Sequence, residues 1–166
     1  METNRLNTVL IKARVISIVL TGMLFIQPVA NNKQSVNKIS QQYLNYYRNG
    51  QVNKLVRFWA DSVVFEDKTA QISGEALLIK GRDNVERELT ELFASVEDLS
   101  FTPEFGFSSG NFTISAGAIS YQMPVSANAK TKVTFDVVTI LEFKAGKVVK
   151  HADYADYQSL IKQLNK

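Results

Sequence analysis

The sequence predicts an α+β fold in which a strongly curved antiparallel sheet wraps as a cone over about three helices, and three observations predict it. Apolar residues recur at helical spacing between Val36 and Trp59, and again from Asp83 to Val96. After Glu97-Asp98 the period changes to that of strands and stays so through residues 99–107, 111–123, 131–143 and 147–156. Helices followed by a run of antiparallel strands is the order of an α+β domain, and the open mouth of a cone is where a pocket belongs.

Each element has its own justification. Residues 1–30 read as an export signal: a basic stretch ending at Arg14 precedes the apolar run VISIVLTGMLFI at 15–26, followed by Gln27-Pro28-Val29-Ala30. A hydrocarbon core of about 30 Å takes about 20 residues to cross, and this run is shorter. Cleavage after Ala30 is therefore the expectation, giving an exported protein with a single domain over residues 31–166. A retained N-terminal membrane anchor is the alternative, and a buried helix of the domain is the third option.

Val36, Ile39, Tyr43 and Tyr46 or Tyr47 mark the first helix, which Asn49-Gly50 ends. Val52, Leu55, Val56 and Trp59 mark a short second helix closing at Ala60-Asp61. SVVFE, at 62–66, reads as a strand that delivers Asp67, and residues 75–80 as a short strand before the turn at Gly81. Val85, Leu89, Leu92, Phe93 and Val96 form the apolar stripe of a third helix with an acidic first turn. Of the four later strands, the one from Val133 to Phe143 is nearly unbroken apolar and reads as buried on both faces. A tight turn at Lys144-Ala145-Gly146 returns the chain into the last strand. Residues 124–130 read as a loop, and 157–164 as a closing helical turn.

Composition removes several function classes. With no cysteine, disulfides, cysteine-based zinc sites and thiol catalysis are excluded. One histidine excludes a histidine-rich metal site, while an all-carboxylate site stays open; no metal and no cofactor are expected. The formal charge is +3, but Arg5, Lys12 and Arg14 against Glu2 concentrate it at the front. The remainder is too weakly basic for a nucleic-acid partner. No glycine-rich phosphate loop or serine-centred elbow occurs.

The chemistry-bearing residues gather near the end. His151, the only histidine, and Asp153 lie two apart on one strand and so share a face; they form either a working site or a polar patch at a sheet edge. A carboxylate at the inner end of an apolar pocket has its pKa raised by desolvation and becomes a usable base, which nominates Asp67 first and Asp153 second. Strand parity would place Trp59, Phe65, Phe135, Val137 and Leu141 on the lining, although each is also an ordinary core residue. Asp156 reads as a cap or surface residue, and Asp136 points away from the lining.

The segments YLNYYRNGQVNKLVRFWADSVVFED at 43–67, IKGRDNVERELTEL at 79–92 and FDVVTILEFKAGKVVKHADYADY at 135–157 resemble, in order and spacing, the nuclear-transport-factor-2-like (cystatin-like) superfamily in its SnoaL-like and ketosteroid-isomerase-like branch. The resemblance implies a cone-shaped domain, often paired as a homodimer through its sheet, with a pocket for a small apolar molecule. It spans isomerases, polyketide cyclases, epoxide hydrolases and non-catalytic binding modules. Ketosteroid isomerases place a base where Asp67 stands and an oxyanion-holding tyrosine where Tyr43 stands. Their second oxyanion donor is a protonated aspartate, where this chain has Thr139, a weaker donor that speaks against steroid isomerisation. Cyclases and limonene-epoxide-hydrolase-like enzymes use an aspartate on the final strand, matched by Asp153. Two readings follow: a cofactor-independent isomerase- or cyclase-like enzyme, or a binding or self-pairing domain of the same fold. Tyr43 and Asp67 also have plain structural readings, as a core tyrosine and a turn-forming carboxylate.

Overall fold

The computed structural model describes residues 30–126 and 129–165; the expected export signal at 1–29 lies outside them. Helix α1 (Ala30–Arg48) turns Val36, Ser40, Tyr43 and Leu44 inward, a spacing of three and four that keeps one face buried. It stops as the sequence predicts. Gly50 adopts φ +63°, its N–H donates to the Tyr47 carbonyl at 3.0 Å, and Gln51 N–H donates to the Tyr46 carbonyl at 2.9 Å. That pair of bonds is a Schellman stop, which satisfies two carbonyls the helix would otherwise leave open.

The second helix is shorter than expected. It covers only α2 (Val52–Leu55), tightens into a 3₁₀ turn at Val56–Phe58, and gives way to strand β1 (Trp59–Asp67). Trp59 is already extended because it pairs with Val148, so Asp61 stands on a strand and bonds Arg82 at 2.8 Å instead of closing a helix. A 3₁₀ turn (Thr69–Ser73) leads to β2 (Leu77–Lys80), helix α3 (Arg82–Ala94), and then β3 (Glu97–Ser109), β4 (Phe112–Ser126), β5 (Ala129–Lys144), β6 (Lys147–Ala155) and α4 (Tyr157–Leu164). β4 and β5 extend into the expected loop at 124–130. Lys144 pairs with Lys147 across Ala145-Gly146, both at positive φ, as a two-residue type I′ hairpin requires.

The predicted antiparallel cone is not what forms. The sheet is mixed, in the order β2-β1-β6-β5-β4-β3, and β1 runs parallel to β6. Parallel neighbours need a crossover; here everything from β2 to β5 separates the two strands, so β1 enters beside β6 in the same direction. The sheet is open and neither closed nor strongly curled. A four-residue β2 at one edge cannot match a 13-residue β3 at the other to complete a ring.

β5 also departs from expectation. Val133, Phe135, Val137, Thr139, Leu141 and Phe143 are buried, whereas Thr134 and Asp136 are exposed and Val138 and Ile140 only partly covered. One face is therefore core, and an apolar run alone could not show which. The main core joins α1, α2 and α3 to β1, β2, β5 and β6; a smaller cluster of Val133, Phe135 and Leu160 seats α4. Asp156 caps α4 by accepting from Ser159 N–H at 3.0 Å. Among the described residues no helix is long and apolar enough to cross a membrane.

Candidate active-site cavity

Register sets the site. Asp67, Asp153, Thr139 and Ser115 stand level on β1, β6, β5 and β4, and Phe65, His151, Leu141 and Thr113 form the adjacent row two residues away. Both rows face the helices, so the sheet carries a polar stripe across its covered side beneath α1.

His151 is fully buried, and both ring nitrogens are engaged. Nδ1 lies 2.8 Å from the Tyr43 hydroxyl and Nε2 lies 3.1 Å from Oδ1 of Asp153. Trp59 Nε1–H donates to the same Tyr43 oxygen at 3.0 Å. An indole can only donate, so the Tyr43 oxygen accepts from Trp59, and the Asp153 carboxylate receives Nε2–H of His151. Burial pushes the Tyr43 phenol well above its usual range, outweighing the Trp59 bond, and keeps its proton in place. Phe65 covers the imidazole, with ring centroids 4.4 Å apart, and Tyr47 meets it edge to face at 4.5 Å.

Asp153 is where this chain ends. Besides His151, Oδ1 accepts from Thr139 Oγ1 at 2.6 Å, and Oδ2 accepts from the Tyr47 hydroxyl at 2.6 Å. Burial works to raise its pKa; the imidazole beside it and the hydrogen bonds from His151, Thr139 and Tyr47 work to lower it, and the lowering side wins. Desolvation therefore does not make Asp153 the raised-pKa base that the sequence suggests. Asp67, 3% exposed, caps the turn that follows it. Its Oδ1 accepts from Thr69 N–H at 2.9 Å, Thr69 Oγ1 at 2.5 Å and Ala70 N–H at 3.2 Å, and Oδ2 accepts from the Tyr157 hydroxyl at 2.9 Å. Burial, with the neighbouring Asp67 charge and bond, drives the Tyr157 pKa upward.

Both carboxylates open onto one cavity of about 110 Å³. Phe135 and Val137 line it, together with Tyr47, Phe93 and Tyr157. Tyr43, His151, Trp59, Phe65, Thr139 and Leu141 do not; they stand behind the wall, as the chain that holds Asp153 or as core around it. Of the lining residues that sequence reasoning did not put in the site, Tyr47 and Tyr157 are the two that bond the carboxylates. Tyr47 follows Tyr43 by one helical turn and so shares its face, a signal the sequence offers. Tyr157 opens a separate helix, and only the docking of α4 brings it to Asp67. A wider groove of about 360 Å³ between α1 and β3–β4, where Arg48 donates to Ser115, holds none of the predicted residues. Among the described residues no group of three or more histidine, cysteine or acidic side chains is placed to hold a metal ion.

Three comparisons bear on this arrangement. A candidate SnoaL-like polyketide cyclase from Shewanella putrefaciens superposes with a TM-score of 0.69 at 20% identity, covering 78% of this chain and 96% of that one. Another from Shewanella denitrificans gives 0.70 at 19%, covering 84% and 98%. An LEH-like epoxide hydrolase of M. tuberculosis gives 0.64 at 16%, covering 81% and 92%. At these identities the likeness is one of fold. No curated protein matches. The family model of the SnoaL-like domain matches residues 40–151, more than half of the chain. With the nuclear-transport-factor-2-like fold already in view, that match settles the family: this chain belongs to the SnoaL-like domains.

Proposed function

We propose that this domain holds a small, largely apolar molecule in the cavity, and that Asp153 moves a proton on it without a cofactor. One observation carries the proposal: Asp153 is a cavity-wall carboxylate fixed from behind by a buried Trp59–Tyr43–His151 chain. A base held within reach of its target by locked partners is what general acid–base catalysis needs. The use of a final-strand aspartate is cyclase-like or epoxide-hydrolase-like. The isomerase-like scheme fits less well, because the Tyr43 hydroxyl is committed to His151 and does not line the cavity.

The test is a ligand screen read by the fluorescence of Trp59, the single tryptophan, followed by mass spectrometry of each hit. Wild type should convert a hit that the Asp153→Asn variant binds unchanged. Hits recovered intact from wild type after long incubation would overturn the catalytic part. A second reading, ligand binding without chemistry, is favoured by the lowered pKa of Asp153 and its three donors, which make it a weak base.

Two further readings belong to the proposal. The front segment at 1–30 supports export, which N-terminal sequencing of the mature protein would check. Pairing as a homodimer is to be read from the mass in solution.

A further inference from the structure

We infer that the molecule this cavity takes carries a positive charge sheathed in alkyl groups, an alkylammonium in the simplest form; this rests on the cavity being the small-molecule site. Among the described residues the only charged side chains on its wall are Asp67 and Asp153. They are register partners on adjacent parallel strands, so their backbones lie about 5 Å apart. No lysine, arginine or histidine among the described residues lines the cavity. Among the described residues the ion pairs include none to Asp67, and to Asp153 only the His151 contact.

Two buried carboxylates on neighbouring strands, with only His151 set against them among the described residues, put negative charge beside a space with little water to screen it. Each keeps acceptor capacity on one oxygen: among the described residues Oδ2 of Asp153 receives only the Tyr47 hydroxyl, and Oδ2 of Asp67 only the Tyr157 hydroxyl, whereas a carboxylate oxygen has about two lone-pair sites. The rest of the wall is aromatic or aliphatic. Phe135 lies between Tyr121 and Tyr157, with centroids 5.9 and 6.0 Å away, and Tyr47 meets Phe93 at 5.6 Å. Ring faces beside carboxylates stabilise a cation that has shed its water and give nothing to an anion. The same field disfavours an anionic ligand, and two of the three cavity tyrosines among the described residues, Tyr47 and Tyr157, already donate to carboxylates.

Three probes of similar shape and different charge separate the possibilities: tetramethylammonium, tert-butanol and pivalate, titrated into the full chain with Trp59 fluorescence and thermal shift as readouts. Tetramethylammonium should bind at least about tenfold more tightly than tert-butanol, and pivalate should not bind. Asp67→Asn should erase most of the cation's advantage. Because Asp67 also holds a turn, Phe135→Leu provides a second variant, which should weaken the cation several-fold more than the alcohol. Equal binding of cation and alcohol, or tighter binding of pivalate, would overturn the charge preference while leaving the cavity as a small-molecule site. Binding of none of the three would overturn that preference together with the reading of the cavity on which it rests.

Discussion

Replacing Tyr43 by Phe removes one oxygen from the middle of the buried chain and leaves the ring where it is. The loss strands two groups at once: Trp59 Nε1–H loses its acceptor and His151 Nδ1 loses its hydrogen-bond partner, both in fully buried surroundings. An unsatisfied buried polar group costs about 1–3 kcal/mol. The aromatic contacts of Tyr43 with Phe58 and Tyr47 survive, so no cavity term is added. The expected destabilisation from the two together is about 2–6 kcal/mol, a large share of the roughly 5–15 kcal/mol that holds a domain folded. Tyr46→Phe is the control, because its hydroxyl meets Arg57 at the surface and its loss should cost under about 0.5 kcal/mol. Urea denaturation followed by far-ultraviolet circular dichroism, with Trp59 emission as a second probe, measures both. If Tyr43→Phe costs no more than Tyr46→Phe, the buried chain does not exist as described.

Other perturbations have equally definite outcomes. Gly50→Ala forces a left-handed residue to carry a Cβ that would touch the Phe93 ring at 3.4 Å, so denaturation should show a loss of about 1–2 kcal/mol, with Gly50→Asn milder; stabilisation by either would contradict the helix stop. The folded-state pKa of Asp153 is depressed, so its contribution is present above the unfolded carboxylate value of about 3.9 and is lost as pH falls through the folded value. The stability gap between wild type and Asp153→Asn should therefore narrow in denaturation series taken from pH 6 down to pH 3, and a gap that widened on acidification would refute the sign of the shift.

How much of this was legible in the sequence depended on whether a signal was local. Helical spacing from Val36 to Tyr47, the glycine stop at Gly50, the hairpin at Ala145-Gly146 and the cap at Asp156 all follow from residues within a turn of one another. The i, i+2 relation of His151 and Asp153 correctly put both on one face. What escaped was set by distant partners. Trp59 looked like the end of a helix until its pairing with Val148 drew it into β1. The parallel alignment of β1 with β6 leaves no local mark, and with it went the purely antiparallel cone. The same pairing is what sets Asp67 beside Asp153. Tyr157 reaches Asp67 only because α4 packs Leu160 against Val133 and Phe135. The direction of the Asp153 shift was also hidden, since it depends on three donors from three elements arriving at one carboxylate.

The measurement closest to the central claim is deuterium uptake by a bound ligand. A molecule that the cavity retains, incubated with the protein in D₂O and weighed by mass spectrometry, should gain deuterium or appear as product with wild type. With Asp153→Asn it should still bind, yet return at its original mass. Uptake at the same rate in both proteins would place the proton-transferring group somewhere other than the aspartate at the end of the buried chain.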